Sequence, residues 1–151
     1  MTNGAKLFST KDLDEIQTTA DMRKPQYKKT VALLQKIRSE ARIKVNYVYL
    51  MRPTAAIGVY TFLADADTID PTLALDINQD GQIDEADEYA LPGRTYVTPE
   101  GDALAKGLSQ TPQINTGIIE DQWGKFYSAS APIFDQNHEI KAFLGVDILV
   151  R

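Results

Sequence analysis

The last third of the sequence predicts a β-hairpin. Residues 123–134 carry aromatic, small and apolar side chains that suit a strand, and residues 140–150 are almost continuously apolar. Such a continuous run is typical of a strand that is buried on both faces of a sheet. The polar residues 135–139 between the two segments predict the turn. Other parts of the chain must therefore cover both faces of the strand formed by residues 140–150.

The first part of the chain, residues 9–41, predicts two helices. After a short first helix, Pro25 suits the start of a longer one, because the missing N–H of proline is not needed there. From Tyr27 to Ala41, apolar residues recur at steps of three and four, which indicates one buried face of a helix.

Strand-like segments then follow one another without intervening helices. Residues 43–50 and 57–63 are rich in β-branched and aromatic side chains, and residues 52–54 predict the turn between them. Adjacent strand runs favour an antiparallel central sheet and the α+β class. The length of 151 residues suits one domain. Its predicted parts are the helical segment 9–41, the sheet segments 43–63 and 123–150, the acidic insertion 64–99, and a short helix near 102–108.

Composition excludes several function classes. The net charge of −5 argues against nucleic acid as a partner, because phosphate binding needs clustered basic residues. The chain has no cysteine and a single histidine, His138, in a predicted turn, so nucleophile–base triads lack a base. We therefore expect no catalytic activity in this chain. No apolar run is long enough for a transmembrane helix.

Residues 76–87 match the calcium-binding loop of EF-hand proteins. Oxygen donors occupy alternate positions, and Gly81 stands at the sixth position, where the chain must turn sharply. A hard divalent cation prefers about six to eight oxygen ligands, which such a loop can point inward. The predicted calcium ligands are Asp76, Asn78, Asp80, the backbone carbonyl of Gln82, Asp84 and Asp87.

This loop stands alone in the sequence. Pro71 precedes it closely and Pro92 follows it, which leaves little room for a pair of flanking helices. An EF-hand switch works by opening a groove between coupled helices. A solitary loop instead favours a structural calcium site that orders the insertion. A regulatory calcium sensor and an acidic surface loop without metal are the alternatives.

The predicted sheet resembles the PDC-type, or Cache, extracytoplasmic sensor domains of bacterial transmembrane receptors. The resemblance is carried by the aromatic-led strand from Trp123, the sequence Ala131-Pro132-Ile133-Phe134-Asp135 at its end, and Gly145-Val146-Asp147-Ile148 in the returning strand. The long helix and the strand after it fit the same pattern. The resemblance implies a PAS-like architecture, with a ligand held between the sheet and its covering loops.

By this resemblance, the domain would lie on the periplasmic or extracellular side of an inner membrane, anchored only through segments outside this chain. It would signal to a histidine kinase, chemoreceptor or cyclic-di-GMP output domain and form a homodimer through its N-terminal helix. Residues 1–5 do not resemble a signal peptide, so we expect either a cytosolic protein or a segment of such a receptor. The other functional hypothesis is a calcium-dependent protein-interaction module.

The class of the sensed small molecule stays open. Some Cache domains bind amino acids through an Arg ahead of a Trp-Tyr pair, and this pattern is not met, because Gln122 precedes Trp123. Small-ligand sites combine an apolar lining with a few polar groups. Strand side chains of that kind are the candidate ligand-binding residues: Tyr47, Tyr49, Tyr60, Trp123, Lys125, Tyr127 and Asp147.

Each candidate also has an ordinary structural interpretation. The aromatic side chains can simply pack in the core, Lys125 can be solvated, and Asp147 can be a structural hydrogen-bond acceptor. Lys125 and Arg52 are candidates for pairing with a carboxylate of a ligand. For a sensor, we expect a cavity bounded by Tyr47, Tyr60 and Tyr127, whereas an interaction module favours an apolar surface patch near the calcium loop.

Overall fold

The computed structural model describes residues 2–69, 80–82, 90–99, 101–107, 110–115 and 117–150. These residues form a mixed helix and strand structure built on one antiparallel sheet, which is compatible with the α+β class. The α-helices are α1 (Thr2–Ala5), α2 (Thr10–Asp14) and α3 (Pro25–Glu40), and 3₁₀ helices lie at Thr19–Arg23 and Ala103–Lys106. The strands are β1 (Tyr47–Pro53), β2 (Val59–Asp65), β3 (Thr95–Val97), β4 (Gln113–Ile114), β5 (Ile119–Asp121), β6 (Gly124–Phe134) and β7 (Ile140–Leu149).

The sheet has the strand order β3-β2-β1-β7-β6-β4, and β5 also pairs with β6. Each described strand pair is antiparallel, and the sheet curls into a half-barrel. The predicted hairpin is confirmed as β6 and β7, and His138 lies exposed in its turn. None of the described helices is long and apolar enough to cross a membrane.

The three α-helices cover one face of this sheet. Helix α3 begins at Pro25, as its sequence predicts, and buries Tyr27, Val31 and Leu34. These side chains belong to a core that also contains Val48 of β1. Further members of this core from the sheet are Leu50, Leu63, Ala131, Ile133, Ala142 and Leu144. The opposite face of the sheet is thereby left for the aromatic side chains described below.

The predicted turn at residues 52–54 is wrong, because β1 continues to Pro53. A proline is tolerated at the end of a strand, where a missing N–H costs no ladder hydrogen bond. Arg52 points to the helical face and donates to the carbonyl oxygens of Leu13 at 2.9 Å and Ile16 at 3.0 Å. It therefore satisfies carbonyls in the last turn of helix α2 and just after it, and does not offer its charge to a ligand carboxylate.

The start of β1 also differs from the expectation of a strand from residue 43. The side chain of Asn46 accepts a hydrogen bond from the backbone N–H of Leu149 at 2.9 Å, and Arg38 donates to the Asn46 carbonyl at 3.2 Å. The Asn46 N–H still donates to the Asp147 carbonyl at 2.9 Å, so backbone and side-chain hydrogen bonds are mixed at this position. The regular strand accordingly begins one residue later, at Tyr47.

Three short strands were not expected from the sequence. Strand β3 lies within the stretch 64–99 that we assigned to an insertion, and β2 also extends into that stretch. Strands β4 and β5 both pair with β6 along the edge away from β7. Segments of two or three residues are too short to show an alternating pattern. The short helix predicted near residues 102–108 is confirmed as a 3₁₀ helix, which Asp102 caps by accepting from Leu104 N at 2.9 Å.

We predict that Leu34→Ala lowers the free energy of unfolding by about 2–5 kcal/mol, because it leaves a cavity where α3 meets the sheet. Leu34 has no exposed surface. The exposed Lys36 lies on the same helix, so Lys36→Ala is the matched control and should change stability by less than about 0.5 kcal/mol. Urea unfolding measures both. Equal effects of the two substitutions would contradict the packing described here.

Candidate ligand-binding site

A pocket opens on the face of the sheet opposite α3. Its cavity volume is about 40 Å³. This is room for a few water-sized groups. The lining residues come from the central strands and from the segments around them: Tyr47, Tyr49, Phe62, Asp65, Thr68, Ala90, Tyr96, Asp121, Trp123 and Asp147. Half of these residues are aromatic, and the charged members among the described lining residues are three aspartates.

Strand alternation in β1 builds the centre of the pocket. Tyr47 and Tyr49 point into the pocket, and Val48 and Leu50 point into the helical core. Gly145 lies opposite Tyr49 in the register of β1 and β7. A Cβ on Gly145 would overlap the Tyr49 ring. The glycine therefore lets the tyrosine lie flat across β7, where its hydroxyl reaches Asp147.

Four rings make the aromatic wall. Phe62 stands at its middle, with ring centroids 6.1 Å from Tyr49, 5.3 Å from Tyr96 and 5.8 Å from Trp123. Tyr96 and Trp123 also contact each other at 5.8 Å. The guanidinium of Arg94 stacks over Trp123 at 5.7 Å. Rings held this way from several sides have little freedom to rearrange, so the wall is largely preformed.

Asp121 is hydrogen-bonded to two residues of this wall. Its carboxylate accepts from the Tyr96 hydroxyl at 2.6 Å and from the backbone N–H of Trp123 at 2.9 Å. Burial raises the pKa of Asp121, and these two hydrogen bonds act in the opposite direction. The negative charge of Asp102 raises this pKa further.

Asp147 lies on the pocket side of β7 and is 7% exposed. The Tyr49 hydroxyl donates to its Oδ1 at 3.2 Å, and the Ser128 hydroxyl is a second hydrogen-bond partner. Burial raises the pKa of Asp147 to about 7. The negative charges of Asp121 and Asp102 act in the same direction. The two interpretations of Asp147 thus coincide, since it is both a hydrogen-bond acceptor and a pocket residue.

Asp65 supplies the third carboxylate, from the end of β2. Burial raises its pKa to about 7, and the nearby Arg38 lowers it in part. The backbone N–H of Asp67 donates to its Oδ1 at 2.8 Å. Because β2 and β7 lie on opposite sides of β1, Asp65 and Asp147 stand on two different sides of the pocket.

Four of the seven candidate residues line this pocket: Tyr47, Tyr49, Trp123 and Asp147. The structure does not bring the other three there. Tyr60 is buried with its hydroxyl bonded to the Leu104 carbonyl at 2.9 Å. Lys125 and Tyr127 flank the buried Phe126 on β6, so they point to the exposed side of that strand. A cavity bounded by Tyr47, Tyr60 and Tyr127 was therefore the wrong expectation.

Sequence reasoning missed several lining residues. Asp65 fell at the edge of the assumed insertion, and Tyr96 lies on the unexpected strand β3. Asp121 lies two residues before Trp123, at the end of a three-residue strand with no alternation to detect. The available signal was an acidic residue two positions before an aromatic one, Asp121 and Trp123. The sequence alone does not show that this segment lies near β1.

The predicted calcium ligands Asp76, Asn78, Asp84 and Asp87 lie outside the described residues. The turn at the centre of the loop is described. Gly81 has φ +88°, the backbone conformation that the sixth loop position requires, and Gln82 N donates to Asp80 Oδ1 at 2.8 Å. Within the described part of the chain, no group of three or more His, Cys, Asp or Glu side chains could hold a metal ion.

Comparison of the chain with protein-family models, curated proteins and solved structures found no match.

We predict that Asp147→Asn stabilises the protein, and that its advantage over the wild-type protein grows from pH 5 to pH 8 by at most about 3 kcal/mol. Between its ordinary pKa of 3.8 and its pKa of about 7 in the fold, this carboxyl binds more protons in the folded protein than in the unfolded one. Stability is therefore lost as the pH rises from about 4 to about 7, by at most about 4 kcal/mol in all, and the neutral amide avoids that loss. Thermal melts of both proteins from pH 5 to 8 measure it. A difference that does not grow with pH would contradict the burial of this charge.

Proposed function

We propose that this chain is a ligand-sensing domain of the PDC or Cache type, with a PAS-like architecture, and that its pocket binds a compact organic cation. The observation that carries the ligand class is the lining itself, in which three carboxylates face a wall of aromatic rings. Such a site offers an ammonium group both charge and ring faces.

The electrostatics of the pocket favour a cation over an anion. The charged neighbours that raise the pKa of Asp147 are Asp121 and Asp102, which are themselves acidic. A carboxylate or phosphate ligand would add a further negative charge at short range and raise these pKa values more. An ammonium group would reverse the effect, because an opposite charge within hydrogen-bond distance favours the ionised carboxylate.

The lining also favours an organic cation over a metal ion. A calcium or magnesium ion needs several oxygen ligands converging on one point. The aspartates of the pocket instead come from β2, β5 and β7, and no three acidic side chains of the described residues are grouped closely enough to hold a metal ion. An alkylammonium can contact one carboxylate and leave its carbon atoms against Phe62 and Trp123. The small cavity volume favours a ligand of few heavy atoms.

A sensor must pass the state of its pocket to another element, and helix α3 contacts the pocket wall. The segment 65–68 contributes Asp65 and Thr68 to the lining. From α3, Gln35 donates to the Ala66 carbonyl at 3.0 Å, and Arg38 forms a two-point ion pair with Asp67 at 2.9 and 3.0 Å. These contacts support a sensor over a calcium-dependent interaction module, since a module needs no link between a pocket and a helix.

The remaining parts of the proposal rest on the resemblance to Cache domains. They are a periplasmic or extracellular location, anchoring by segments outside this chain, an output domain elsewhere in the receptor and a homodimer through the N-terminal helix.

We further propose that residues 76–87 bind a structural calcium ion. The positive φ of Gly81 fits the turn that such a loop needs.

We predict that small primary amines bind the pocket, and that Asp147→Asn and Asp121→Asn each weaken this binding by about tenfold or more. Each substitution removes a charge-assisted hydrogen bond. Isothermal titration of methylamine, ethanolamine and propylamine at pH 8, above the pKa of about 7 of Asp65 and Asp147, measures the affinities.

The control for this experiment is Glu120→Gln. Glu120 neighbours Asp121 on β5 but is exposed and not part of the lining. Glu120→Gln removes one negative charge, as Asp121→Asn does. It should change the affinity for the amines by less than about twofold, because an exposed charge is screened by solvent. Binding of acetate in place of the amines, or an equal loss in Glu120→Gln, would contradict the proposed site.

For the calcium site, we predict that excess calcium raises the melting temperature by about 8–16 °C over EDTA, and that Asp76→Ala abolishes this shift. At about 1,000 times the dissociation constant, binding adds about 4 kcal/mol of stability. Magnesium should have less effect, because it demands a tighter octahedral site. An unchanged melt in calcium would show that the loop does not bind it.

A further inference from the structure

The hydroxyl of Thr68 is a buried polar group without a described partner. Thr68 is 1% exposed and lines the pocket, and its Oγ1 has no hydrogen-bond partner among the described residues. Most buried side-chain polar atoms in proteins are paired. Leaving such a group unpaired reduces stability, so its position against a cavity suggests that a ligand supplies the missing partner.

The backbone around Thr68 is fixed, so the hydroxyl cannot find a partner by a small shift of the chain. The Tyr27 hydroxyl of helix α3 donates to the Thr68 carbonyl. The Thr68 N–H donates to the Asp65 carbonyl at 3.1 Å. Its β-branched side chain is also stiff at χ1. Thr68 Oγ1 therefore keeps its place at the pocket wall whether or not a ligand is bound.

The charges divide the pocket into two ends. At one end, Asp121 and Asp102 lie near enough to Asp147 for their negative charges to raise its pKa, so this end carries several acidic side chains. At the other end, Arg38 lowers the pKa of Asp65 and pairs with Asp67, so the segment that carries Thr68 is closer to neutral. An ammonium group belongs at the first end and a neutral polar group at the second.

We propose that Thr68 Oγ1 forms a hydrogen bond with a hydroxyl group of the ligand, and that the preferred ligand is a short amino alcohol. This inference rests on the proposed function and names the ligand class more closely. A hydroxyl can both donate to and accept from Thr68. A site that hydrogen-bonds a ligand hydroxyl discriminates against an analogue that lacks it, because the protein group is then left unpaired.

The test compares ethanolamine with propylamine, in which a methyl group replaces the hydroxyl. Isothermal titration at pH 8 should show that the wild-type protein binds ethanolamine about tenfold more tightly. Thr68→Val keeps the shape of the side chain and removes its hydroxyl, so the preference should disappear. Thr68→Ser keeps the hydroxyl and should retain the preference. If Thr68→Val does not fold, Thr68→Ala removes the same hydroxyl and carries the same expectation.

The outcomes separate this inference from the proposed function. Equal binding of the two amines by the wild-type protein overturns the role of Thr68, and so does a preference that persists in Thr68→Val. In either case the pocket would still bind amines, and the proposed function would stand. Failure of both amines to bind overturns the inference and the cation site together.

Discussion

The placement of β1 between β2 and β7 decides both the core and the pocket. Successive residues of a strand point to opposite faces, so one register puts Val48 and Leu50 against the helices and Tyr47 and Tyr49 in the pocket. A shift by one residue would exchange these sets and expose the core. The apolar side chains therefore fix the register, and the register in turn sets which partners the tyrosines meet.

The pocket lowers the stability of the fold that supports it. Burial raises the pKa of Asp65 and Asp147 to about 7, which means that ionising either carboxyl in the folded protein is unfavourable. A packed apolar residue at either position would avoid this effect. Perturbed carboxyls in a cavity are typical of functional sites, where a bound partner compensates the charge. The buried hydroxyl of Thr68 fits the same explanation.

Sequence patterns predicted the elements that are long and regular. Helix α3 from Pro25 and the hairpin of β6 and β7 are confirmed, because their apolar residues recur over several turns or many strand positions. The short strands β3, β4 and β5 carry too few residues for any period. They are set by pairing with distant strands, and such long-range contacts leave no local pattern.

The length of the strands also explains which pocket residues were predicted from the sequence. Tyr47 and Tyr49 follow from alternation within one strand, and Asp147 stands out as a charge in an apolar run. Asp121 and Tyr96 come from short strands that meet only in the folded sheet. Lys125 and Tyr127 share a face, as alternation predicts. That face is the exposed one, because Phe126 between them takes the buried side.

Proton release on ligand binding tests the central claim, a cation held by buried carboxyls, most directly. At pH 7 the carboxyl of Asp147 is partly protonated, whereas an aliphatic amine stays fully protonated. Binding of an ammonium group should ionise the carboxyl and release a proton to the buffer. Ethanolamine titrated into the protein in two buffers of different ionisation enthalpy should therefore give different binding heats, and their difference measures the number of protons released. We predict release that falls toward zero by pH 8 and is lost in Asp147→Asn. Binding with no proton release at pH 7, or with proton uptake, would contradict the account.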